Sequence, residues 1–254
     1  MSITNDAEFA GMQAISNAVA ISLKKMREYP QPGMSTRELD EFGGAILTAM
    51  GARSAPLLTY GFPGWTCIST NNEVAHGIPS DKKILKEGDL VNIDVSAELN
   101  GYWSDNGGSF VLGADNHNHA HLVNSSKDIL YKAISNIKGG IRISEIGHLI
   151  EHEAKKAGLT VIRNLVGHGV GRSLHEAPNE IPCYYDRFNR TRFKKNSVVA
   201  IETFISTGAK YAKEQGDGWT YITGDGSFTA QHEHTIMATD GAPVIFTAAN
   251  EIWN

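Results

Sequence analysis

Four carboxylates of this chain lie beside apolar runs that are typical of buried β-strands. Asp94 follows the run Leu-Val-Asn-Ile, Glu202 follows Val-Val-Ala-Ile, and Glu233 precedes His-Thr-Ile-Met. A fourth acid, Asp105, lies just before the strand-like segment 109–112. A carboxylate near the core is costly unless it is paired or holds a metal. One such acid alone would be interpreted as a strand end turned to solvent, but several in one chain indicate a shared site.

The chemistry that such acids serve best is metal binding, because carboxylates that face one another repel unless a cation lies among them. Oxygen ligands with one imidazole suit a pair of divalent transition ions, which acids can bridge at about 3.5–4 Å. A glycine-rich segment, 167–178, contains His168 and His175, and its glycines let the backbone approach a ligand closely. These two histidines need not share a role.

The segments that must position these residues alternate between helical and strand-like patterns. Four helices are predicted from apolar residues that recur every three or four positions. Two of them open with the capping-box pairs Asn5–Glu8 and Ser35–Glu38, and the others begin near residues 122 and 144. Strands are predicted at 90–95, 109–112, 198–205, 234–238 and 244–247. Two helices and then strands, twice over, indicate an α+β fold with helices packed on one side of a mostly antiparallel sheet.

An internal similarity indicates one domain built from two related halves. Residues 85–94 and 193–202 share the same succession: an apolar residue, a lysine, turn-like spacers, an apolar strand and a carboxylate. His76 and His175 each begin a His-x-x-Pro sequence. We therefore predict a single catalytic domain over 1–254, with pseudo-symmetric halves of about 1–115 and 116–254. Chance similarity between short strands is the alternative.

Composition argues against several classes of protein. The 254 residues carry 23 Lys+Arg against 28 Asp+Glu, a net charge of −5, which disfavours a dedicated nucleic-acid surface. The short basic run at 190–195 is interpreted as a solvated loop. Apolar stretches fall short of the roughly 20 residues of a membrane span, and two cysteines are too few for a disulfide scaffold. Residues 1–6 lack the layout of a secretory signal. We predict a cytoplasmic monomer without nucleic-acid or membrane partners.

Taken in order, the motifs resemble those of the methionine aminopeptidases and their relatives with the pita-bread fold. The segment from Gly167 to Pro178, Gly-His-Gly-x-Gly-x-x-x-His-Glu-x-Pro, is similar to the family signature. Segments 72–79, 88–105, 201–202 and 230–235 look like its first histidine motif, its aspartate pair and its two glutamate motifs. Only residues 176–201 separate His175 from Glu202. This short interval resembles the bacterial type I enzymes, because type II enzymes carry an inserted subdomain there.

This resemblance implies five ligands for two divalent metal ions, which could be Co, Mn, Fe or Zn. The implied ligands are Asp94, Asp105, His168, Glu202 and Glu233. Asp94 would chelate one ion, and His168 with Glu202 would hold the other. Asp105 and Glu233 would bridge both. The implied activity removes the initiator methionine from nascent proteins and peptides with small second residues, by attack of a metal-bridging hydroxide.

The resemblance also implies the catalytic residues and the partners. Glu202 would take and relay a proton, and His175 would donate to the scissile carbonyl oxygen. His76 would contact the neighbouring peptide amide. The partners would be nascent polypeptide N-termini, with association with the ribosome left open.

A methionine pocket is implied by three further residues. Phe62, within the segment 60–63, together with Cys67 and Trp219, resembles the walls of the family's pocket. A soft thiol and aromatic faces suit a thioether. Ordinary core packing is the alternative interpretation of these three side chains.

The sequence departs from the usual family pattern beside the implied ligands. Asn106 and Gly107 stand where small hydroxyl residues are usual, and Thr203 stands where Pro is common. Leu174 replaces a frequent aromatic residue before the second histidine. We expect these departures to affect rate and side-chain preference rather than metal binding.

Three alternative interpretations are open from the sequence. A related Xaa-Pro exopeptidase, such as a prolidase or aminopeptidase P, would usually carry an extra N-terminal domain. A non-catalytic pita-bread binding protein would typically lack ligands. Residues 148–152 spell the zinc motif His-x-x-Glu-His of another peptidase class, but helical spacing turns His148 and His152 away from the apolar stripe.

The alternating His117, His119 and His121 are predicted to lie in a solvated helix entrance.

Overall fold

Helices and strands follow the order that the hydrophobic patterns predict, with several short elements added. The computed structural model describes residues 1–253. Its helices are α1 Asp6–Glu28, α2 Thr36–Ala49, α3 Ala55–Tyr60, α4 Ala120–Ser135 and α5 Ile143–Lys156, with a 3₁₀ helix at Ala248–Asn250. Its strands are β1 Arg53–Ser54, β2 Cys67–Thr70, β3 Glu73–Ala75, β4 Leu90–Leu99, β5 Tyr102–Val111, β6 Thr160–Val161, β7 Gly167–Gly169, β8 Glu176–Ile181, β9 Val198–Ser206, β10 Ala212–Glu214, β11 Tyr221–Thr223, β12 Thr229–Met237 and β13 Val244–Ile245.

One large sheet forms the centre of the molecule. Its main path has the order β1-β4-β5-β12-β9-β7-β8, with β2, β6 and β13 paired to β4, β9 and β12. All of these pairings are antiparallel. A second, small sheet has the order β10-β11-β3. The prediction of an α+β fold with a mostly antiparallel sheet is therefore confirmed.

The helices cover this sheet in two pairs. Helix α1 packs on β4 and β5, and α2 packs on α1. In the same way α4 packs on β9 and β12, and α5 packs on α4. This arrangement agrees with two related halves, although a relationship between 1–115 and 116–254 stays a prediction. No helix within residues 1–253 combines the length and the apolar character that crossing a membrane requires.

The core lies between the helices and the sheet. The inward face of α1 is fully buried through Met12, Ile15 and Leu23, which pack in one cluster with Ile93 of β4 and Ile201 of β9. Burying one such side chain stabilises the fold by roughly 1.5–3 kcal/mol. The apolar residues whose spacing predicts α1 are therefore the residues through which this helix contacts the sheet.

Polar side chains fix the starts of the first two helices. Ser35 and Glu38 form a complete capping box at α2, as predicted. At α1 the prediction is half right, because the Asn5 side chain accepts a hydrogen bond from the Glu8 N–H at 2.9 Å. The Glu8 carboxylate instead accepts from the backbone N–H of Thr4 at 2.8 Å. In both helices the capping side chain satisfies an N–H group that a helix start leaves unpaired.

The strand predicted at 90–95 stops four residues short of the end of β4, and two other strand predictions miss more. The segment 109–112 covers only the end of β5, which begins at Tyr102, and 234–238 covers only part of β12, which begins at Thr229. The missed parts carry polar residues on buried strands, including Asn106 in β5 and Gln231 in β12. Alternation of apolar and polar residues cannot reveal a strand that is buried on both faces and carries polar side chains.

The segment 54–66, which contains α3, is tied down at both ends. The buried carboxylate of Asp40 in α2 accepts hydrogen bonds from the backbone N–H groups of Trp65 and Thr66 at 3.1 and 2.8 Å. The Ser54 hydroxyl donates to the Trp65 carbonyl at 2.8 Å. Burial raises the pKa of Asp40, and the hydrogen bonds that it accepts oppose this shift. The segment is thereby held against α2 as a unit.

Candidate metal centre

The five implied ligands lie on five strands that are neighbours in the sheet. Following the strand order β4-β5-β12-β9-β7, they are Asp94, Asp105, Glu233, Glu202 and His168. Neighbouring strands are about 4.8 Å apart, so residues on adjacent strands can meet at one place. All five line one cavity of about 360 Å³. The fold therefore brings together residues from positions 94 to 233 of the chain.

Strand register places two of the acids face to face. Glu202 on β9 is the direct cross-strand partner of Glu233 on β12. Like charges directly opposite each other destabilise a sheet. Two glutamates in this relation are therefore an unfavourable arrangement unless a proton or a cation lies between them.

Distances within the group suit ligands that share a cation. Ligand atoms of Asp105, His168 and Glu233 all lie within 4.8 Å of one another. His168 Nε2 is 3.9 Å from Asp105 Oδ2 and 4.0 Å from Glu202 Oε1, which is too far for a hydrogen bond. His168 Nδ1 lies 3.0 Å from the carbonyl oxygen of Gly169, to which it can donate. This contact leaves the lone pair of Nε2 facing the acids.

Two oxygen atoms at the centre have no hydrogen-bond partner among residues 1–253. They are Asp105 Oδ1 and Glu233 Oε1, and both are buried. A buried acceptor without a partner is expensive, and each needs an explanation. The other oxygen of Glu233 accepts from Gln231 Nε2 at 3.0 Å, and the side-chain carbonyl of Gln231 accepts from Asn92 at 2.8 Å. The donor set, oxygens with one imidazole, fits divalent metal ions.

Burial sets the protonation of these groups when no cation is present. It raises the pKa of Asp94 to about 6. Burial first, and then the charges of neighbouring acids, raise the pKa values of Asp105, Glu202 and Glu233 well above the usual range. Burial lowers the pKa of His168 to about 3, so this imidazole is neutral at physiological pH. A bound cation would replace the protons that the acids otherwise retain.

These shifts predict how the stability of the metal-free protein depends on pH. Acids with raised pKa values stabilise the fold at low pH, and this contribution is lost as pH rises through their folded pKa values. Buried histidines have the opposite effect, but only below about pH 6.5. Above about pH 6.5 we therefore expect the free energy of unfolding to fall as pH rises, by about 1.4 kcal/mol per pH unit for each proton that these acids still retain.

Denaturant unfolding in chelator, repeated at several pH values, measures this slope. Added Mn²⁺ should remove the decline, because it displaces the protons. A free energy of unfolding that stays constant over this interval in chelator would contradict the retention of protons by these buried acids.

The cavity has an aromatic and sulfur-containing wall. Phe62, Cys67 and Trp219 all line it, and the rings of Phe62 and Trp219 meet edge to face with centroids 5.2 Å apart. The Asp217 carboxylate accepts from the N–H groups of Trp219 and Thr220 at 2.8 and 2.7 Å, which fixes the loop that carries Trp219. These side chains are therefore both packed and exposed to the cavity.

His76 and His175 also line the cavity. His76 adopts a left-handed backbone conformation with φ 54°, which is uncommon for a residue other than glycine and is frequent at functional sites. The ring of His175 lies 4.1 Å from that of His168, centroid to centroid. Burial lowers the pKa of both His76 and His175. Both rings are thus neutral and close to the acids.

Sequence reasoning missed one contact of this group. The hydroxyl oxygen of Tyr60 lies 2.7 Å from Nδ1 of His175, and these residues are 115 positions apart. Tyr60 belongs to the segment 60–63 that resembles the family's pocket wall, but its partner is set by tertiary structure alone.

The departures from the family pattern have local explanations. Asn106 is buried and donates to the Val95 carbonyl at 3.0 Å. At Gly107, a Cβ atom would come within 2.3 Å of Gln231 Oε1, so a larger residue would have to displace that side chain. The Thr203 hydroxyl donates to a β12 carbonyl at 3.3 Å. None of these changes removes an implied ligand.

The other histidine groups lie away from the cavity. His148 and His152 are exposed on α5, as predicted. For His119 the prediction of a solvated position is wrong. Its ring is 5% exposed and packs against Phe228, with centroids 4.4 Å apart, because it lies at the start of α4 where the helix meets the sheet.

Known proteins resemble this chain along most of its length. The model of metallopeptidase family M24 matches residues 10–240. A methionine aminopeptidase 2 of Bacillus subtilis is 51% identical over 247 residues, which cover 97% of this chain and 99% of that protein. The crystal structure of a Thermotoga maritima methionine aminopeptidase superposes with a TM-score of 0.92 at 35% identity, covering 97% and 99% of the two chains. A Pyrococcus furiosus prolidase, at 23% identity, TM-score 0.76 and coverage of 96% and 65%, shares the fold.

Proposed function

The chain belongs to metallopeptidase family M24, and from that premise we propose that it removes the N-terminal methionine from peptides and newly made proteins. It is a metal-dependent aminopeptidase, a hydrolase with the pita-bread fold of its type I relatives. The single observation that carries this proposal is the convergence of four acids and one histidine, from five neighbouring strands, on a cavity with a thiol and aromatic wall.

We infer that two divalent ions are held at this centre. The residues that would hold them are Asp94, Asp105, His168, Glu202 and Glu233. The two unpartnered buried oxygens and the neutral His168 support this inference. Mn, Fe, Co and Zn all accept such a ligand set. When bound, these ions lower the pKa of water and stabilise negative charge that develops on a carbonyl oxygen.

The protein's own residues would bind the substrate and move its protons. The Glu202 carboxylate, which is 11% exposed and lies 4.0 Å from His168 Nε2, would take a proton from the attacking water and relay it to the leaving amine. His175 would donate a hydrogen bond to the scissile carbonyl oxygen as it gains charge, and His76 would contact the adjacent amide. The methionine side chain would lie against Phe62 and Cys67, because a thioether packs well on aromatic and sulfur groups.

We further propose the setting in which this reaction occurs. The substrates would be the N-termini of nascent polypeptides with small second residues, met in the cytoplasm by a monomeric protein with one catalytic domain. Cosedimentation with ribosomes, compared at low and high salt, tests whether the protein also binds there. No membrane or nucleic-acid partner is part of this proposal.

A peptide assay tests the proposed activity. We expect Met-Ala-Ser to be cleaved after methionine with Mn²⁺ or Co²⁺, and chelator to abolish cleavage because the acids then hold protons instead of metal. A panel of Met-x-Ser peptides should show falling rates as the second residue grows. Hydrolysis of Xaa-Pro peptides with Met-Ala-Ser left intact would replace the proposal by an Xaa-Pro exopeptidase. Turnover of neither substrate by metal-loaded protein would favour a binding protein.

A further inference from the structure

We propose that Tyr60 is a positioning residue for the reaction: its hydroxyl holds His175 as the tautomer that carries the proton on Nε2. The proposal rests on the proposed function, in which His175 donates a hydrogen bond to the substrate carbonyl. Tyr60 would not itself touch the reacting atoms. Its effect would pass through the ring of His175.

The contact that carries this proposal joins two segments that line the cavity. Tyr60 is the last residue of α3, and His175 lies in the turn between β7 and β8. The Tyr60 hydroxyl oxygen and His175 Nδ1 are 2.7 Å apart, within the normal range of a strong hydrogen bond. Both residues line the same cavity as the four acids and one histidine of the candidate centre. The bond therefore joins the pocket wall to the proposed catalytic histidine.

The direction of this bond decides what His175 can do. A neutral imidazole has one N–H and one lone pair, so a proton on one nitrogen leaves the other as an acceptor. If the Tyr60 hydroxyl donates to Nδ1, the proton of His175 is on Nε2, where it can be donated to a carbonyl oxygen. If instead Nδ1 donates to the tyrosine oxygen, Nε2 becomes an acceptor and cannot serve this role.

The properties of Tyr60 favour the first direction. A phenol titrates at about pH 10 and burial raises the pKa of Tyr60 further, so its hydroxyl keeps its proton at neutral pH. A phenol with its proton is a stronger donor than a neutral imidazole N–H, and the imidazole nitrogen is the stronger acceptor. The pair is therefore most stable with the hydroxyl donating.

The fold around Tyr60 does not depend on its hydroxyl group, so the hydroxyl can be removed to test the positioning role alone. Tyr60 is 52% exposed. Its helix is fixed without the hydroxyl, since the Ser54 side chain accepts from the Leu57 N–H and the Gly61 N–H donates to the Leu57 carbonyl at 3.0 Å. The backbone beside His175 is held separately by the Ser173 hydroxyl, which donates to the His175 carbonyl at 2.9 Å. Removing one oxygen atom from Tyr60 should leave the fold intact.

The test compares Tyr60→Phe with a matched control, Tyr131→Phe, at an exposed tyrosine of α4 outside the cavity. We expect Tyr60→Phe to lower kcat for Met-Ala-Ser by roughly three- to tenfold, the effect of one lost hydrogen bond. KM, metal content and Tm should stay at the values of the unsubstituted protein. The control should match that protein in every measurement.

A spectroscopic readout follows the tautomer directly. In zinc-loaded protein labelled with ¹⁵N-histidine, the two ring nitrogens give separate signals that distinguish N–H from a bare lone pair. His175→Ala identifies the signals of that ring. We expect the Nε2–H form in the unsubstituted protein and a raised share of the Nδ1–H form in Tyr60→Phe.

The proposal requires both changes together. An Nδ1–H form in the unsubstituted protein, an unchanged tautomer in Tyr60→Phe, or an unchanged kcat would each overturn it. If the unsubstituted protein cleaves no methionyl peptide, the proposed function fails instead. The nitrogen signals then still decide whether Tyr60 sets the tautomer, because they do not depend on turnover.

Discussion

Glu233→Gln is expected to lose stoichiometric divalent metal and, with it, on the order of a thousandfold or more in kcat/KM for Met-Ala-Ser, because metal ions supply several kcal/mol of charge stabilisation in such reactions. Glu233 is 1% exposed, faces Glu202 across the sheet and has an oxygen without a partner among residues 1–253. The amide keeps the shape of the side chain but lacks the negative charge with which Glu233 would hold a cation.

Metal analysis after dialysis, together with steady-state kinetics, measures both effects. Glu41→Gln, at an exposed position on α2, is the matched control and should behave like the unsubstituted protein. A second readout comes from stability in chelator. The folded metal-free parent must take up a proton on Glu233 that the unfolded chain does not hold at neutral pH, whereas the amide needs none, so the metal-free variant should unfold at a higher temperature than the metal-free parent. Full metal content and full activity in Glu233→Gln would refute its assignment as a ligand.

His175→Ala is expected to lower kcat by about 10²- to 10³-fold while the metal content is kept, since this is the usual cost of removing one donor to a developing oxyanion. His175 lines the cavity, and its Nδ1 is occupied by Tyr60. The ring nitrogen left for the substrate is Nε2. The predicted loss of kcat exceeds that for Tyr60→Phe. His175→Ala removes the donor itself, whereas Tyr60→Phe removes only the hydrogen bond that sets its tautomer.

Metal content separates this prediction from the one for Glu233. His76→Ala should likewise lower kcat and keep the metal, and His148→Ala, at an exposed position on α5, serves as the control. Loss of metal in His175→Ala or His76→Ala would mean that the histidine is a ligand and not a donor. Unchanged turnover in His175→Ala would remove it from the mechanism.

The sequence reveals those residues of the candidate site whose type is unusual for the local segment in which they stand. Glu202 and Glu233 are visible because each adjoins an apolar run, where a carboxylate is unexpected. Their direct pairing across β9 and β12 is not visible, since strand register depends on the whole sheet. Asp105 is the least conspicuous of the acids, because the polar residues around it hide the first half of β5.

The fold was predictable where one face of an element is apolar and the other polar. Helix α1 shows this pattern, and it begins at Asp6, directly after the predicted capping residue Asn5. Short elements such as α3 and β7 carry no such pattern, because a few residues held by tertiary contacts need no periodicity. The burial of His119 and the contact between Tyr60 and His175 could not be predicted either. Both depend on which distant segments of the chain meet in the fold.

The fastening of the segment 54–66 bears on how selectivity can evolve in this protein. Its two ends adjoin β1 and β2, which both pair with β4, the strand that carries Asp94. Phe62, inside the segment, is 1% exposed and packs against the ring of Trp219. A change of volume at Phe62 would therefore strain the strands that position a proposed ligand. We expect descendants of this protein to acquire a new side-chain preference through volume-conserving changes in this segment, or through changes on the separate loop of Trp219, if they are to keep the hydrolytic centre.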